Sequence, residues 1–281
     1  MLSSHLTPSK TDTLFQRLET KQFYQRCSNM QSTFHQERSI KLKPGQIIDR
    51  RALMGIEKQE KTLDEWSSFL RLLNVPPEVI RQVLNNIQNA NTLLFGIEEL
   101  NDKATLKVYL EYWDFLISLI QQGKHERQPF ALNRGYKWET DHPEHWKEDI
   151  YWCYPLLTLP ELHKRLKTLT GINGAILQYF LNPLLFQNRS LRGEQLVYLE
   201  IVGEDNARRS FDINCYKGQL SVSDALPYLL ELAQHWRIKN DLSKVLSCYS
   251  SHCLGHISGG VGRDKQPFLS IYIEESSTAA A

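Results

Sequence analysis

The sequence predicts an α+β fold: an antiparallel β-barrel or strongly curved sheet, built from repeated hairpin-helix units and ringed by helices as αββα repeats. Three observations carry this. Segments that alternate apolar and polar residues come in pairs, joined by short polar turns. Each pair is followed by an amphipathic helical segment, several with a capping residue at the start. Nothing reads as a parallel βαβ unit, and neither GxGxxG nor GxxxxGK[ST] occurs. Hairpins with helices on one side fit a curved sheet, and closing that sheet removes its edges.

Residues 1–62 are polar and read as helix plus loop, set apart from a repeat domain over 63–281. Within them, "TDTLFQRLETKQFYQRC" fits an amphipathic helix capped by Thr11 or Asp12, and "KPGQIIDRRALMG" a turn and a short strand. The segment is locally basic, with 11 Lys/Arg against 6 Asp/Glu, and is a candidate docking arm. From Thr62 the pattern sharpens. Thr62 and Glu65 have capping-box spacing, and Trp66, Phe69, Leu70 and Leu73 share a helical face. "VPPEVIRQVLNNIQNA" is a second helix, opened by proline.

The repeats follow. "TLLFGIEEL", "NDKA" and "TLKVYLEYW" make strand, turn and strand, and "DFLISLIQQG" a helix ending at Gly123. "FALNRGYKWET", "DHPEHW" and "KEDIYWCYPLL" make a less regular hairpin. "TLPELHKRLKTLTG" is its helix, capped by Thr158 with Glu161 three residues on. After the helical stretch "GINGAILQYFLNPLLF", a third hairpin spans "EQLVYLEIVG", "EDNA" and "RRSFDINCY". Its helix is "SVSDALPYLLELAQHWRI", with Ser223 as cap and Pro227 in the first turn. "SCYSSHCLGHISGGV", "GRDKQ" and "PFLSIYIEES" form the last hairpin.

The chain has 281 residues, 41% hydrophobic and 23% charged, with a net charge of +1. That is ample for a core and carries no global field to attract nucleic acid. No apolar run approaches the roughly 18 residues of a membrane span, and with no long apolar segment in "MLSSHLTPSKTDTLF" a secretory signal is not expected. Five cysteines, an odd number, point to reduced thiols in the cytoplasm.

Helices outside a barrel must be met by apolar strand faces, so the polar faces turn into the lumen. That places Lys107, Tyr109 and Glu111 of "LKVYLEYW" in one cavity. Tyr198 and Glu200 of "LVYLEIV" join them, with Asp212, Asn214 and Tyr216 of "FDINCY" and Ser270 and Tyr272 of "FLSIYIE".

These units, with tyrosines and a cation-x-Tyr pair on inner strands, resemble the aromatic prenyltransferases of the αββα barrel type. Dimethylallyltryptophan synthases and cyanobacterial indole and peptide prenyltransferases belong to that group. The resemblance runs over residues 63–275 and implies an enzyme of secondary metabolism. It would transfer an allyl group from an allyl diphosphate to an indole or another aromatic small molecule or peptide. "LLFGIEE" resembles the strand that carries the proton-accepting glutamate, which implies Glu98 as base. "LKVYLEY" resembles the Lys-x-Tyr strand that holds diphosphate, here Lys107 and Tyr109, with Lys137 and Arg209 as further cations. "PFLSIYIEE" resembles the last strand, whose tyrosine shields the allyl cation. That role falls to Tyr272, together with Tyr109, Tyr198 and Tyr216. Asp212 and Asn214 stand where the family supplies a cation, so Asp212 with a Mg²⁺ ion is the alternative way to hold diphosphate. Cations stabilise the leaving diphosphate, aromatic faces stabilise the carbocation, and a carboxylate raises the nucleophilicity of the acceptor.

Two clusters stand apart. Cys248, His252, Cys253 and His256 are zinc-ligand types, but His252 and Cys253 are adjacent and would point to opposite faces of a strand, so reduced strand residues are expected. His142, Glu144 and His145 read as an exposed turn, and "HISGGVGRDKQ" as a hairpin turn around Gly262. The second functional reading is a non-catalytic binding or assembly protein on the same scaffold, its lumen filled by side chains such as Trp138 or Trp152.

Overall fold

The computed structural model describes residues 34–275 apart from 59–60, 102, 124–127, 172–173, 189 and 204–207, together with residues 23 and 25–27. The helix expected from Thr11 or Asp12 lies mostly outside the described residues, as does the "EDNA" turn. The strands are β1 (Phe34–Lys43), β2 (Gln46–Ile48), β3 (Arg51–Glu57), β4 (Thr92–Leu100), β5 (Lys103–Glu111), β6 (Phe130–Glu139), β7 (His142–Tyr154), β8 (Val197–Gly203), β9 (Arg209–Asn214), β10 (Leu254–Val261) and β11 (Pro267–Glu275). The α-helices are α1 (Leu63–Leu72), α2 (Pro77–Asn86), α3 (Trp113–Gln121), α4 (Leu159–Thr170), α5 (Leu177–Leu181), α6 (Val222–His235) and α7 (Lys239–Leu246).

Ten strands, β1 and β3 to β11, pair antiparallel in chain order, and β11 returns to β1. The seam runs from Gln36 opposite Glu275 to Leu42 opposite Leu269. The barrel is therefore closed, and the short β2 pairs with β1 on the same side as β3, continuing that strand with a one-residue shift of register. The hairpin-helix repeat and the outer helices hold, and the polar faces of β5, β9 and β11 turn inward, whereas that of β8 does not.

Residues 34–43 differ from the expected helix and loop, because β1 is a full barrel strand, and the short strand expected in "KPGQIIDRRALMG" is β2 followed by β3, itself a barrel strand. The barrel wall thus begins at Phe34, upstream of residue 63. The reason is compositional. His35, Glu37, Ser39, Lys41 and Lys43 alternate along β1, so one whole face is polar, and only Ile40 and Leu42 give a clear apolar signal on the other.

Two apolar layers lie between the wall and the helices. In one, Trp66, Phe69, Leu70, Val79 and Val83 of α1 and α2 meet Met54, Phe95 and Val108 of the wall. Helices α4 to α7 meet Phe211, Ile213, Ile257 and Ile271 in the other. Trp138 belongs to the first layer and does not fill the lumen. Helix α3 instead brings Leu116 against Leu132, Cys153 and Leu199, a small cluster that includes residues of the lumen wall.

Caps follow the sequence closely. Thr62 with Glu65 and Thr158 with Glu161 form capping boxes. Helix α6 is capped by Ser221 with Asp224, two residues before the expected Ser223. Pro227 therefore sits in the second turn. There its missing N–H removes one helical hydrogen bond.

Candidate active site: a lumen in two chambers

The lumen holds two adjoining cavities. The larger, about 430 Å³, is lined by acids and aromatics, among them Glu37, Glu111, Trp113, Asp212, Tyr216 and His256. The smaller, about 330 Å³, is lined by Lys41, Lys43, Arg51, Lys107, Lys137, Arg208 and Arg263. Tyr109, Tyr151 and Tyr272 line both and form a belt between them, as do Arg51 and Lys107.

The cationic chamber is built by alternation. Lys41 and Lys43 are two apart on β1, Lys107 and Tyr109 on β5, and Ser270 and Tyr272 on β11, so each pair shares the inner face. Glu98 Oε2 accepts from Lys107 Nζ at 2.7 Å and from Arg51 Nε at 3.0 Å, and Lys41 Nζ lies 3.7 Å from Oε1. Asp149 accepts from Lys137, from Arg208 Nη1 at 2.7 Å and from Arg263 Nη2 at 2.8 Å. Lys43 Nζ donates to Asp264 at 2.7 Å. Seven cations thus face three carboxylates, Glu98, Asp149 and Asp264. Burial pushes Lys41 and Lys137 down to about 7 against the opposing pull of Glu98 and Asp149, and it lowers Lys107 as well. Such an excess of buried positive charge is stabilised by an incoming polyanion.

The three tyrosines of the belt are neutral. The Tyr109 and Tyr151 rings meet edge to face at 5.8 Å, and the Arg51 guanidinium lies 5.6 Å from the Tyr272 ring. Burial raises the phenols of Tyr109, Tyr151 and Tyr272. Gly135, opposite Tyr109 on β6, leaves room for that ring, since a Cβ there would lie 2.5 Å from it.

In the acidic chamber, His256 Nδ1 donates to Asp212 at 2.7 Å, and His256 Nε2 lies 3.9 Å from Glu37. Burial disfavours the imidazolium, but Asp212 outweighs it and lifts His256 to about 9. Tyr216 donates its hydroxyl to Glu37. Glu111 accepts from Asn133 Nδ2 at 3.4 Å, and burial raises its carboxyl to about 7.

The expected site residues divide. Lys107, Lys137 and Glu98 lie in the cationic chamber, Tyr109 and Tyr272 in the belt, and Asp212 and Tyr216 in the acidic chamber. Glu98 is not placed as a base. Burial raises its carboxyl, but Lys107, Arg51 and Lys41 outweigh that and hold it well below the usual range, which makes it a weak proton acceptor. Tyr198 and Arg209 are not in the lumen. Leu199 pairs with the inward Asp212 and Tyr198 with Ile213, so Tyr198 shares the outer face, buried with its hydroxyl on Glu200 at 3.1 Å. Glu200 also faces outward, where Arg165 of α4 donates to it at 2.9 Å. Arg209 is exposed, because the alternation that turns Asp212 inward turns Arg208 inward too. Arg208, Arg51, Lys41, Arg263, Glu37, Tyr151 and His256 are lumen residues the sequence reading did not assign. Counting back by twos from Asp212 would have found Arg208.

Asp212 with Mg²⁺ does not fit. Its carboxylate is engaged by His256 in the other chamber, and Glu98 and Asp149 are occupied by Lys and Arg. A magnesium ion needs near-octahedral oxygen donors. The metal-ligand cluster found among the described residues, His142, Glu144 and His145, is exposed in the β6–β7 hairpin and lines neither cavity. No helix among the described residues is long and apolar enough to cross a membrane.

No protein-family model and no curated relative matches the sequence. Solved structures do. The 6-dimethylallyltryptophan synthase from Micromonospora olivasterospora, in complex with DMASPP and Trp, matches with a TM-score of 0.57 at 11% identity, over 85% of this chain and 81% of that one. PriB, in a binary complex with product diphosphate, matches with a TM-score of 0.51 at 11% identity, over 86% and 79%. The chain has the fold of these aromatic prenyltransferases. A second 6-dimethylallyltryptophan synthase structure agrees, with a TM-score of 0.55 at 10% identity over 85% of this chain and 80% of that one.

Proposed function

We propose that the protein is an aromatic prenyltransferase-like enzyme, transferring an allyl group from an allyl diphosphate to an indole or other aromatic acceptor. The observation that carries this is the pairing of chambers: a buried excess of Lys and Arg on one side of a tyrosine belt, and an open acidic-aromatic cavity on the other. Lys41, Arg51, Lys107, Lys137 and Arg208 hold the diphosphate and stabilise it as the allyl C–O bond breaks. Tyr109, Tyr151 and Tyr272 flank the cation and exclude water. The acceptor sits in the larger chamber. Glu37, fixed by the Tyr216 hydroxyl and facing His256, takes the proton released as the new bond forms. The cations suffice for the diphosphate, so the reaction is expected to run without Mg²⁺.

A cavity of about 430 Å³ has the scale of a small-molecule site, which weighs against a lumen filled for a purely structural role. The free cysteines support a reducing, cytoplasmic setting. The test is incubation with dimethylallyl diphosphate and tryptophan-like acceptors, with and without Mg²⁺, alongside calorimetry with diphosphate. Prenylated product and diphosphate binding are expected in both conditions. Absence of both product and diphosphate binding would overturn the reading.

A further inference from the structure

We infer that the acceptor carries a cationic nitrogen group, and that Glu111 and Asn133 form the subsite that seats it. The inference rests on the prenyl-transfer reading and adds to it a substrate charge.

The lining of the larger chamber is rich in hydrogen-bond acceptors. Glu37, Glu111, Asp212 and Glu274 bring four carboxylates to it. Against them stand the His256 imidazolium, used by Asp212, and Arg51 and Lys107, both used by Glu98. Glu37 and Asp212 have close partners in Tyr216 and His256. Glu111 is held more loosely, by a long Asn133 contact at 3.4 Å and by the Trp113 indole. Burial, the largest influence, favours its neutral form, and Glu37 adds to that, while His256 and these two donors favour the charge.

The neighbouring atom points the same way. Asn133 lies directly opposite Glu111 on β6, and its Oδ1 is buried without a hydrogen-bond partner. Turning the amide over would set that oxygen against the carboxylate, so the arrangement leaves an acceptor unmet. A buried carboxylate and a buried amide oxygen side by side are completed by a group with several N–H donors and a positive charge. Trp113, two residues after Glu111, lines the same chamber and donates to that carboxylate. A neutral indole has one N–H, which Glu37 can take, and would leave the Asn133 oxygen unmet. An anionic acceptor would meet four carboxylates.

The pH dependence follows from the groups that share the chamber with Glu111: His35 and Glu37 on β1, Arg51 on β3, Lys107 and Tyr109 on β5, Tyr151 on β7, Asp212 on β9 with Tyr216 just beyond it, His256 on β10, and Tyr272 and Glu274 on β11. Of these and Glu111 itself, Glu111 has its carboxyl raised to about 7, and His256 stays charged until about 9. A cationic ligand binds the ionised Glu111, so its affinity rises as pH passes from 6 to 8. A neutral ligand shows no such rise.

The experiment loads the protein with a non-hydrolysable dimethylallyl thiodiphosphate and titrates three indoles by calorimetry: tryptamine, N-acetyltryptamine and indole-3-propionate. Tryptamine is expected to bind roughly tenfold more tightly than N-acetyltryptamine, the scale of one charge-assisted contact, and indole-3-propionate most weakly. Glu111→Gln is expected to abolish the preference and its pH dependence while thiodiphosphate still binds, which also reports that the variant is folded. Equal affinities for tryptamine and N-acetyltryptamine, or a preference unchanged in Glu111→Gln, would overturn the inference and leave the prenyl-transfer reading standing. Failure of the parent protein to bind thiodiphosphate would overturn that reading itself.

Discussion

Lys107 is where the "LKVYLEYW" alternation meets the chemistry. It stands two residues from Tyr109 on the inner face of β5, and its Nζ donates to Glu98 at 2.7 Å. Glu98 keeps Arg51 and Lys41 if Lys107 is lost. Lys107→Met is therefore expected to fold normally and to lose diphosphate binding by at least tenfold, the contact being worth roughly 1.5 to 3 kcal/mol. Calorimetry with diphosphate beside a thermal melt checks both halves; unchanged affinity would return this strand to an ordinary sheet face. Gly135→Ala tests the belt. Its Cβ would lie 2.5 Å from the Tyr109 ring, so the ring must tilt. Turnover should fall severalfold while diphosphate affinity is kept, and equal turnover would show that the ring's place does not matter. At this scale the sequence was legible wherever one face was wholly polar, as in "LKVYLEYW". It was not legible in "LVYLEIV", where both faces hold large apolar residues and only pairing with β9 decides that Tyr198 faces out.

The hairpin of β1 and β3 shows the same limit for an element. Its inner face carries Glu37, Ser39, Lys41 and Arg51, so its hydrophobic signal is weak although it closes the barrel. The later hairpins were legible because Val108, Leu110, Ile213 and Ile271 mark their outer faces plainly. A chain beginning at residue 63 would lack both strands, exposing the edges of β4 and β11 and opening the lumen to water. It is expected to be insoluble or to lose its cooperative thermal transition by circular dichroism. A soluble, cooperatively melting fragment would contradict the closed ring. The caps give a milder test. Ser221→Ala removes the hydroxyl that accepts from Asp224 N at 3.2 Å and should cost about 1 kcal/mol, read from denaturant melts, whereas Ser223→Ala should cost less.

For the whole molecule, the decisive property is that a near-neutral chain sorts its charge along the barrel axis, with cations at one end of the lumen and acids at the other. That separation is invisible in the net charge of +1, because it arises from strand register and not from composition. Its consequence is measurable. Lys41 and Lys137 are held near 7 in the folded protein by burial and by neighbouring cations, against about 10.4 for lysine in an unfolded chain. Between these values the unfolded state binds more protons than the folded one, so stability rises with pH from about 7 towards 10 and gains nothing from these groups below 7. Diphosphate reverses the balance, since its charge favours the ammonium forms. At pH 8 its binding should therefore take up protons, on the order of one per protein, and its affinity should weaken as pH climbs further. Calorimetry in two buffers of different ionisation enthalpy measures that uptake directly. Lys137→Met should reduce it, because Asp149 retains Arg208 and Arg263 and the chamber keeps its remaining cations. An uptake of zero on binding would mean that the lysines are already charged before diphosphate arrives and that burial does not hold them near 7.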